Sequence, residues 1–223
     1  MEFSQEKTQQ LARADLSKKG SVDDGVKGII ALLNAHDDYY TTSSCAGRIT
    51  LLVVPRTGRK CDASWLYVSH DPADADAVIA AMPPPPNRTG TADNSIAGID
   101  GDVWLRQESA ILHVAVRTME VANALLIVGR RAGFKHSGVM AMDKRIMVEI
   151  MGIDRLEAPV LINGTRVASD DYLRTLVSAA NAKLERNAQR LARLEQELRT
   201  ICATTQHSKR PEDSEERRMK EAL

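Results

Sequence analysis

Residues 39 to 49 read Tyr-Tyr-Thr-Thr-Ser-Ser-Cys-Ala-Gly-Arg-Ile, gathering four successive hydroxyls, a thiol and a guanidinium immediately before an apolar run. Hydroxyls are costly to bury unpaired, and Ile49 to Val54 suits a buried strand, so the cluster is expected at a strand entrance facing a cleft. Arg48 suits two-pronged recognition of a carboxylate. A loop whose Ser and Thr side chains satisfy nearby backbone groups accounts for the same residues, and on residue type alone it is the commoner arrangement. Cys45 has a cation close by in Arg48 but no histidine near it in sequence to act as a base, so it reads as a small packed residue rather than a nucleophile.

The five histidines, His36, His70, His113, His136 and His207, have no close helical spacing, so no metal site is expected. His70 ends a strand-like segment after Ser69, and His113 stands inside an apolar one between Leu112 and Val114. Lone strand histidines are more often structural than catalytic. Ser137, after Gly133-Phe134-Lys135-His136, lies in a tight polar connection that could contact an anion or nucleoside, or simply cap a helix. Neither a phosphate-binding Gly-rich loop nor the strand-glycine-helix entry of the doubly wound folds is present, so a nucleotide-type cofactor would bind by another route.

The elements that must position these residues follow from pattern. Ser21 and Asp23 cap an amphipathic helix carrying Val26, Ile29, Ile30 and Leu33. Ile49 to Val54 and Trp65 to Val68 predict an antiparallel hairpin, and Asp71-Pro72 opens a helix to about Ala81. Pro83 to Asn94 reads as an exposed loop that divides the sheet-forming region. Strands Val103 to Arg106 and Ile111 to Val116 precede a helix over Met119 to Ala132 closed by Gly133, so two strand-strand-helix units share an element order without sharing residues. A further hairpin is expected over 139–142 and 145–150. Apolar residues from Leu173 to Ile201 at mixed three-and-four spacing predict one helix over 169–202, ~45 Å long. The expected fold class is mixed α/β (α+β), with a mixed or antiparallel sheet built from the two units, packed with helices and lacking the Rossmann layout. One globular domain is expected over 1–203, and a frayed or disordered charged tail over 204–223.

Composition bounds the function. The chain has 223 residues, 43% of them hydrophobic, with Lys plus Arg and Asp plus Glu at 30 each, which gives no global basic field to attract nucleic acid. A nucleic-acid role would need a local patch. Three cysteines at irregular spacing fit a reducing compartment. The polar N-terminus and the lack of a long apolar stretch lead to the expectation of a cytoplasmic protein without signal peptide or membrane partner.

Five stretches carry a family likeness: Ala14 to Asp23, Tyr40 to Ile49, Trp65-Leu66 with Ser69-His70, Leu112-His113-Val114, and Gly133 to Gly138. In this order and with these gaps the chain resembles the tRNA wybutosine-synthesizing protein 3 family from about Leu11 to about Leu194. The 83–94 insertion and the charged tail have no counterpart in the likeness, and Trp104 to Ser109 matches loosely, at Arg106 and Glu108. The resemblance implies a non-Rossmann α/β enzyme that uses S-adenosylmethionine, without a metal, to methylate N4 of the aminocarboxypropyl-bearing demethylwyosine 3′ of the anticodon in phenylalanine tRNA. It also implies other wybutosine-pathway enzymes as partners. A sulfonium donor is already electrophilic, so the protein's task is alignment and acceptance of one proton. On this likeness Thr42, Ser43, Ser44 and Arg48 would hold the donor's carboxylate or the substrate's polar side chain, Asp23 the donor's amine or ribose, and Ser137 a further part of the donor. His70 and His113 are the candidates for proton acceptance, Tyr40 and Trp65 for stacking, and Lys19 and Lys135 for substrate contact. Arg13, Lys18, Lys19, Arg48, Arg117, Arg130, Arg131 and Lys135 could form the tRNA patch, or decorate solvated helix ends. A non-catalytic tRNA-binding module and a protein that recruits partners through its long helix are the alternatives.

Overall fold

The computed structural model describes residues 2–13, 21–59, 62–83 and 101–208, with side chains to 201. Lys18, Lys19, Cys61, residues 84–94 of the predicted loop and the tail from 209 lie outside the described residues. In chain order the elements are α1 (Phe3–Leu11), α2 (Asp24–Ala35), β1 (Tyr39–Cys45), β2 (Arg48–Pro55), β3 (Ser64–Ser69), α3 (Ala75–Ala80), β4 (Gly101–Glu108), β5 (Ile111–Val116), α4 (Met119–Ala132), β6 (Gly138–Ala141), β7 (Ile146–Met151), β8 (Leu156–Ile162), β9 (Thr165–Arg166) and α5 (Asp170–Ser208). The mixed α/β class with a long C-terminal helix is as expected, and no helix among the described residues is long and apolar enough to cross a membrane. The chain divides into two compact units, one of Met1–Ser44, Leu112–Met151 and Arg190–Leu223, the other of Cys45–Ile111 and Gly152–Gln189.

The second unit holds a five-stranded sheet in the order β3-β2-β4-β8-β9, whose β2–β3, β2–β4, β4–β8 and β8–β9 pairs are all antiparallel. Strict alternation builds it: Val103 and Leu105 of β4 are fully buried while Asp102, Trp104 and Arg106 are not. Register sets Leu51 opposite Leu105 and Val53 opposite Val103, and Leu105 in turn opposite Ala158. Against this face α5 lays Leu173, Leu176, Val177, Ala180 and Leu184, an i, i+3, i+4 stripe. Burying each such leucine contributes about 1.5–3 kcal/mol.

The first unit holds a four-stranded sheet in the order β1-β5-β7-β6, in which β6 and β7 form the expected antiparallel hairpin. Helix α4 starts where the Thr118 hydroxyl accepts from the Val121 N–H at 3.3 Å and ends at Gly133, with φ 101°. Past that left-handed glycine, Phe134 N–H donates to the Gly129 carbonyl at 2.8 Å and the Phe134 ring is fully buried.

Several sequence expectations change. The hydroxyl run is not a strand entrance but strand β1 itself, and the short α1, too polar to read as a core helix, is formed. The second strand-strand-helix unit does not hold together as one: β4 and β5 lie in different sheets, because β4 is already paired on both edges by β2 and β8. Strand β8 contains Pro159, which argues against a strand on sequence alone. A register shift between Val103 and Trp104 of β4 falls at Pro159 and accommodates it. Helix α5 runs to Ser208 rather than to about 202.

The two-residue link from β4 to β5 is held within the second unit by Asn187 of α5, whose side chain is buried at 1% exposure. Its Oδ1 accepts from Ala110 N–H at 2.8 Å and its Nδ2 donates to the Ala46 carbonyl at 2.7 Å. Asn187→Ala strands one donor and one acceptor and is expected to lower the unfolding free energy by about 2–5 kcal/mol, read from urea denaturation.

Candidate active site

Neighbouring strands β1, β5 and β7 bring Ser43, His113 and Glu149 into one row across the first unit's sheet. The Ser43 Oγ lies 2.7 Å from His113 Nδ1, and His113 Nε2 lies 3.0 Å from Glu149 Oε2. A carboxylate only accepts, so Nε2 carries the proton that it shares with Glu149; Nδ1 is then the acceptor for the Ser43 hydroxyl. The tautomer is inferred from these partners. Ser43 is exposed, and the side chains of His113 and Glu149 are 25% and 26% exposed, so the row opens outward. Hydroxyl, base and orienting acid are connected in the manner of a proton-handling relay.

Around the row, Thr42 donates from Oγ1 to the His113 carbonyl at 3.4 Å, while Thr41 N–H donates to Asn34 Oδ1 at 2.8 Å and ties β1 to the end of α2. Ser44 is half-buried beside them. Tyr40 does not offer a stacking face: it is fully buried, its ring centroid sits 5.2 Å from that of Phe3, and its hydroxyl bonds Glu6 and Arg145 at 3.2 Å each. That bond pushes the Arg145 guanidinium above its ordinary pKa. Tyr40 therefore anchors α1. Ser137 is likewise committed within the chain, donating to the Phe134 carbonyl at 2.9 Å and accepting from Met151 N–H at 3.2 Å, which disfavours a donor contact through its hydroxyl. Asp23 stands at the N-cap of α2, 7% exposed, and its carboxylate makes no cap bond. Lys135 is exposed after α4.

The second unit holds the other candidates. Arg48 and Glu108 are register partners on β2 and β4, and Arg48 Nε donates to Glu108 Oε2 at 2.6 Å. The guanidinium carbon is 4.8 Å from the ring centroid of Trp65, which is 39% exposed. His70 Nδ1 meets the Gly47 carbonyl at 3.0 Å, so the Nδ1–H donates to it. A ring nitrogen of His70 also lies within 4.8 Å of the Cys45 thiol. Cys45, with no histidine near it in sequence, thus has one near it in space, since sheet pairing closes a gap that sequence distance conceals. Gly47, with φ 93°, has no room for a side chain, because a Cβ there would stand 2.8 Å from the Glu108 carbonyl and 2.9 Å from Asn187 Nδ2.

Sequence reasoning missed Glu149, Glu108 and Asn187. Glu149 carries the same signal that marked His113, a lone ionisable residue inside an apolar strand, Ile146-Met147-Val148-Glu149-Ile150. Asn187 shows no local signal, for it is one polar residue among many on a surface helix until packing buries it.

The family model described as Methyltransferase TYW3 matches residues 4–200. The chain is 35% identical over 216 residues to the tRNA wybutosine-synthesizing protein 3 homolog of Mus musculus, covering 93% of this chain and 79% of that one. It is 33% identical over 201 residues to the tRNA(Phe) 7-((3-amino-3-carboxypropyl)-4-demethylwyosine(37)-N(4))-methyltransferase 1 of Pyrococcus abyssi, covering 89% and 97% of the two. Its fold is similar to that of the PH1069 protein from Pyrococcus horikoshii, with TM-score 0.74 and 29% identity over 88% of this chain and 95% of that one.

Because the Arg48 and Glu108 side chains are 27% and 36% exposed, their pair contributes less than about 1 kcal/mol. Arg48→Ala is therefore expected to leave the melting temperature within a few degrees of the parent by circular dichroism, whatever it does to ligand binding.

Proposed function

The chain belongs to the TYW3 methyltransferase family, and from that membership we propose that it transfers a methyl group from S-adenosylmethionine to N4 of the 7-(3-amino-3-carboxypropyl)-4-demethylwyosine base in phenylalanine tRNA. The observation that carries the reading is the hydrogen-bonded Ser43–His113–Glu149 row, set on strands that include two of the family-like stretches. Methylation of an N–H nitrogen forms a C–N bond, breaks a C–S bond and releases one proton, so a placed acceptor is what the protein must add.

When bound, the sulfonium donor supplies the electrophilic methyl group. His113 Nδ1 accepts the proton, directly or through the Ser43 hydroxyl, and Glu149 stabilises the imidazolium that results. Glu149 acts through His113 by fixing its tautomer and orientation, so it is a positioning residue. In the second unit, Arg48 is the residue suited to a ligand carboxylate: its contact with Glu108 uses Nε, and the Nη1–Nη2 edge is the fork that matches a carboxylate. The exposed face of Trp65 is suited to stacking on an aromatic base or adenine. Asp23, Thr42, Ser44 and His70 remain candidates for ligand contact, and cytoplasmic residence and association with other enzymes of the pathway complete the proposal.

His113→Gln is expected to lower the single-turnover rate of labelled methyl transfer to undermethylated tRNA by about 100-fold or more, with donor affinity by calorimetry unchanged. Glu149→Gln should lower it less and shift the pH–rate profile. A parental rate in His113→Gln would remove this residue from the chemistry, and absence of donor binding by the parent protein, with and without tRNA, would leave a tRNA-binding module.

A further inference from the structure

The C-terminal end of α4 collects cations from two separate parts of the chain. Arg130 and Arg131 form its last turn, and Lys135 follows Gly133; all three are exposed. Helix α5 brings one more, the exposed Arg193, which donates from Nε to the Ala132 carbonyl at 3.4 Å. Against these four cations, among the described residues, stands the Glu197 carboxylate, 3.9 Å from Arg131 Nη1. The helix terminus itself offers about half a negative charge, which a single cation satisfies. Capping and ion pairing thus leave a local surplus of positive charge, in a chain whose 30 basic and 30 acidic residues balance as a whole.

We propose that this surface, Arg130, Arg131, Lys135 and Arg193, is where the first unit holds the phosphate backbone of its RNA substrate. The inference rests on the tRNA-methyltransferase reading for its choice of polyanion. Guanidinium groups pair with phosphate in two-pronged fashion, and phosphate contacts supply affinity and register without reading sequence. Such a patch explains how a protein of zero net charge can bind a tRNA: the field is local, not global.

The test uses the full chain and a fluorescein-labelled transcript of phenylalanine tRNA, with anisotropy titrations between 50 and 200 mM KCl. In Arg130→Gln/Lys135→Gln and in Arg193→Gln, side chains whose exposure spares the fold, each lost phosphate contact should reduce the slope of log K against log salt by about one. The KM for tRNA should rise about threefold or more per substitution, while kcat and donor affinity by calorimetry hold. Lys27→Gln, which removes an exposed cation from α2, should leave the slope unchanged. Parental slopes in the α4 and α5 variants, or an equal loss in Lys27→Gln, would overturn the assignment. A parent that binds tRNA with the full slope but transfers no methyl group would instead sink the enzymatic reading and leave the surface standing.

Discussion

Much of the second unit depends on one buried carboxamide. The chain leaves or enters this unit after residues 44, 111, 151 and 189, and on its side of those junctions Ala46, Ala110, Gly152 and Asn187 are knitted together. Asn187 joins Ala46 to Ala110, Gly152 N–H donates to the Ala110 carbonyl at 3.0 Å, and Ser109 Oγ donates to the Gly152 carbonyl at 2.8 Å. Junction backbone belongs to no sheet ladder, yet when buried it must still be paired. A side chain with one donor group and one acceptor group, fixed on a long helix, meets that need in a way no apolar residue can. The same helix repeats the device at Asn181, which accepts from Ala73 N–H and donates to the Ala73 carbonyl.

The clamp fixes more than the loops. With Ala46 and Gly47 held, β2 starts at Arg48; with Ser109 and Ala110 held, β4 stops at Glu108; and the antiparallel register sets those two residues opposite each other. The ion pair, the Trp65 contact and the carbonyl that His70 reaches all follow from that register. A one-residue slip would turn Arg48 and Glu108 to the other face and Leu51 and Leu105 out of the core, so the core enforces the polar geometry.

Much of this is legible in the sequence, and the reason differs by element. The β2–β3 hairpin, α4 with its Gly133 stop and α5 are each defined by local periodicity and punctuation, which need no partner to be read. The sheet assignment of β4 and β5 is not local: two adjacent apolar strands with a short link read as a hairpin unless the claims of β2 and β8 on β4 are known. The chemistry of Thr41 to Ser44 marks them as candidate site residues, although their strand conformation is hidden because four small hydroxyl residues show no apolar alternation. His113 is found because an ionisable residue interrupts an apolar strand, and Glu149 could have been found by the same rule. Tyr40 misleads: an aromatic hydroxyl beside a polar cluster suggests a ligand face, whereas its ring and hydroxyl are both taken up by α1 and Arg145.

A serine, a histidine and an acid in hydrogen-bonded sequence invite comparison with hydrolases, and the backbone distinguishes the two uses. A serine nucleophile is pushed forward on a sharp strand-to-helix turn that exposes its oxygen to the substrate. Ser43 instead lies within the regular strand β1, with Thr42 and Ser44 continuing the strand on either side. A hydroxyl held in that way suits a relay better than an attack: it donates to Nδ1 while its lone pairs stay open to a further donor, and its exposure sets it as the outermost member of the row. With a methyl group that arrives already activated, a proton acceptor is what the protein would have to add, and the row is ordered for it: the exposed Ser43 hydroxyl is its open end, His113 the base behind it and Glu149 the acid that orients the imidazole.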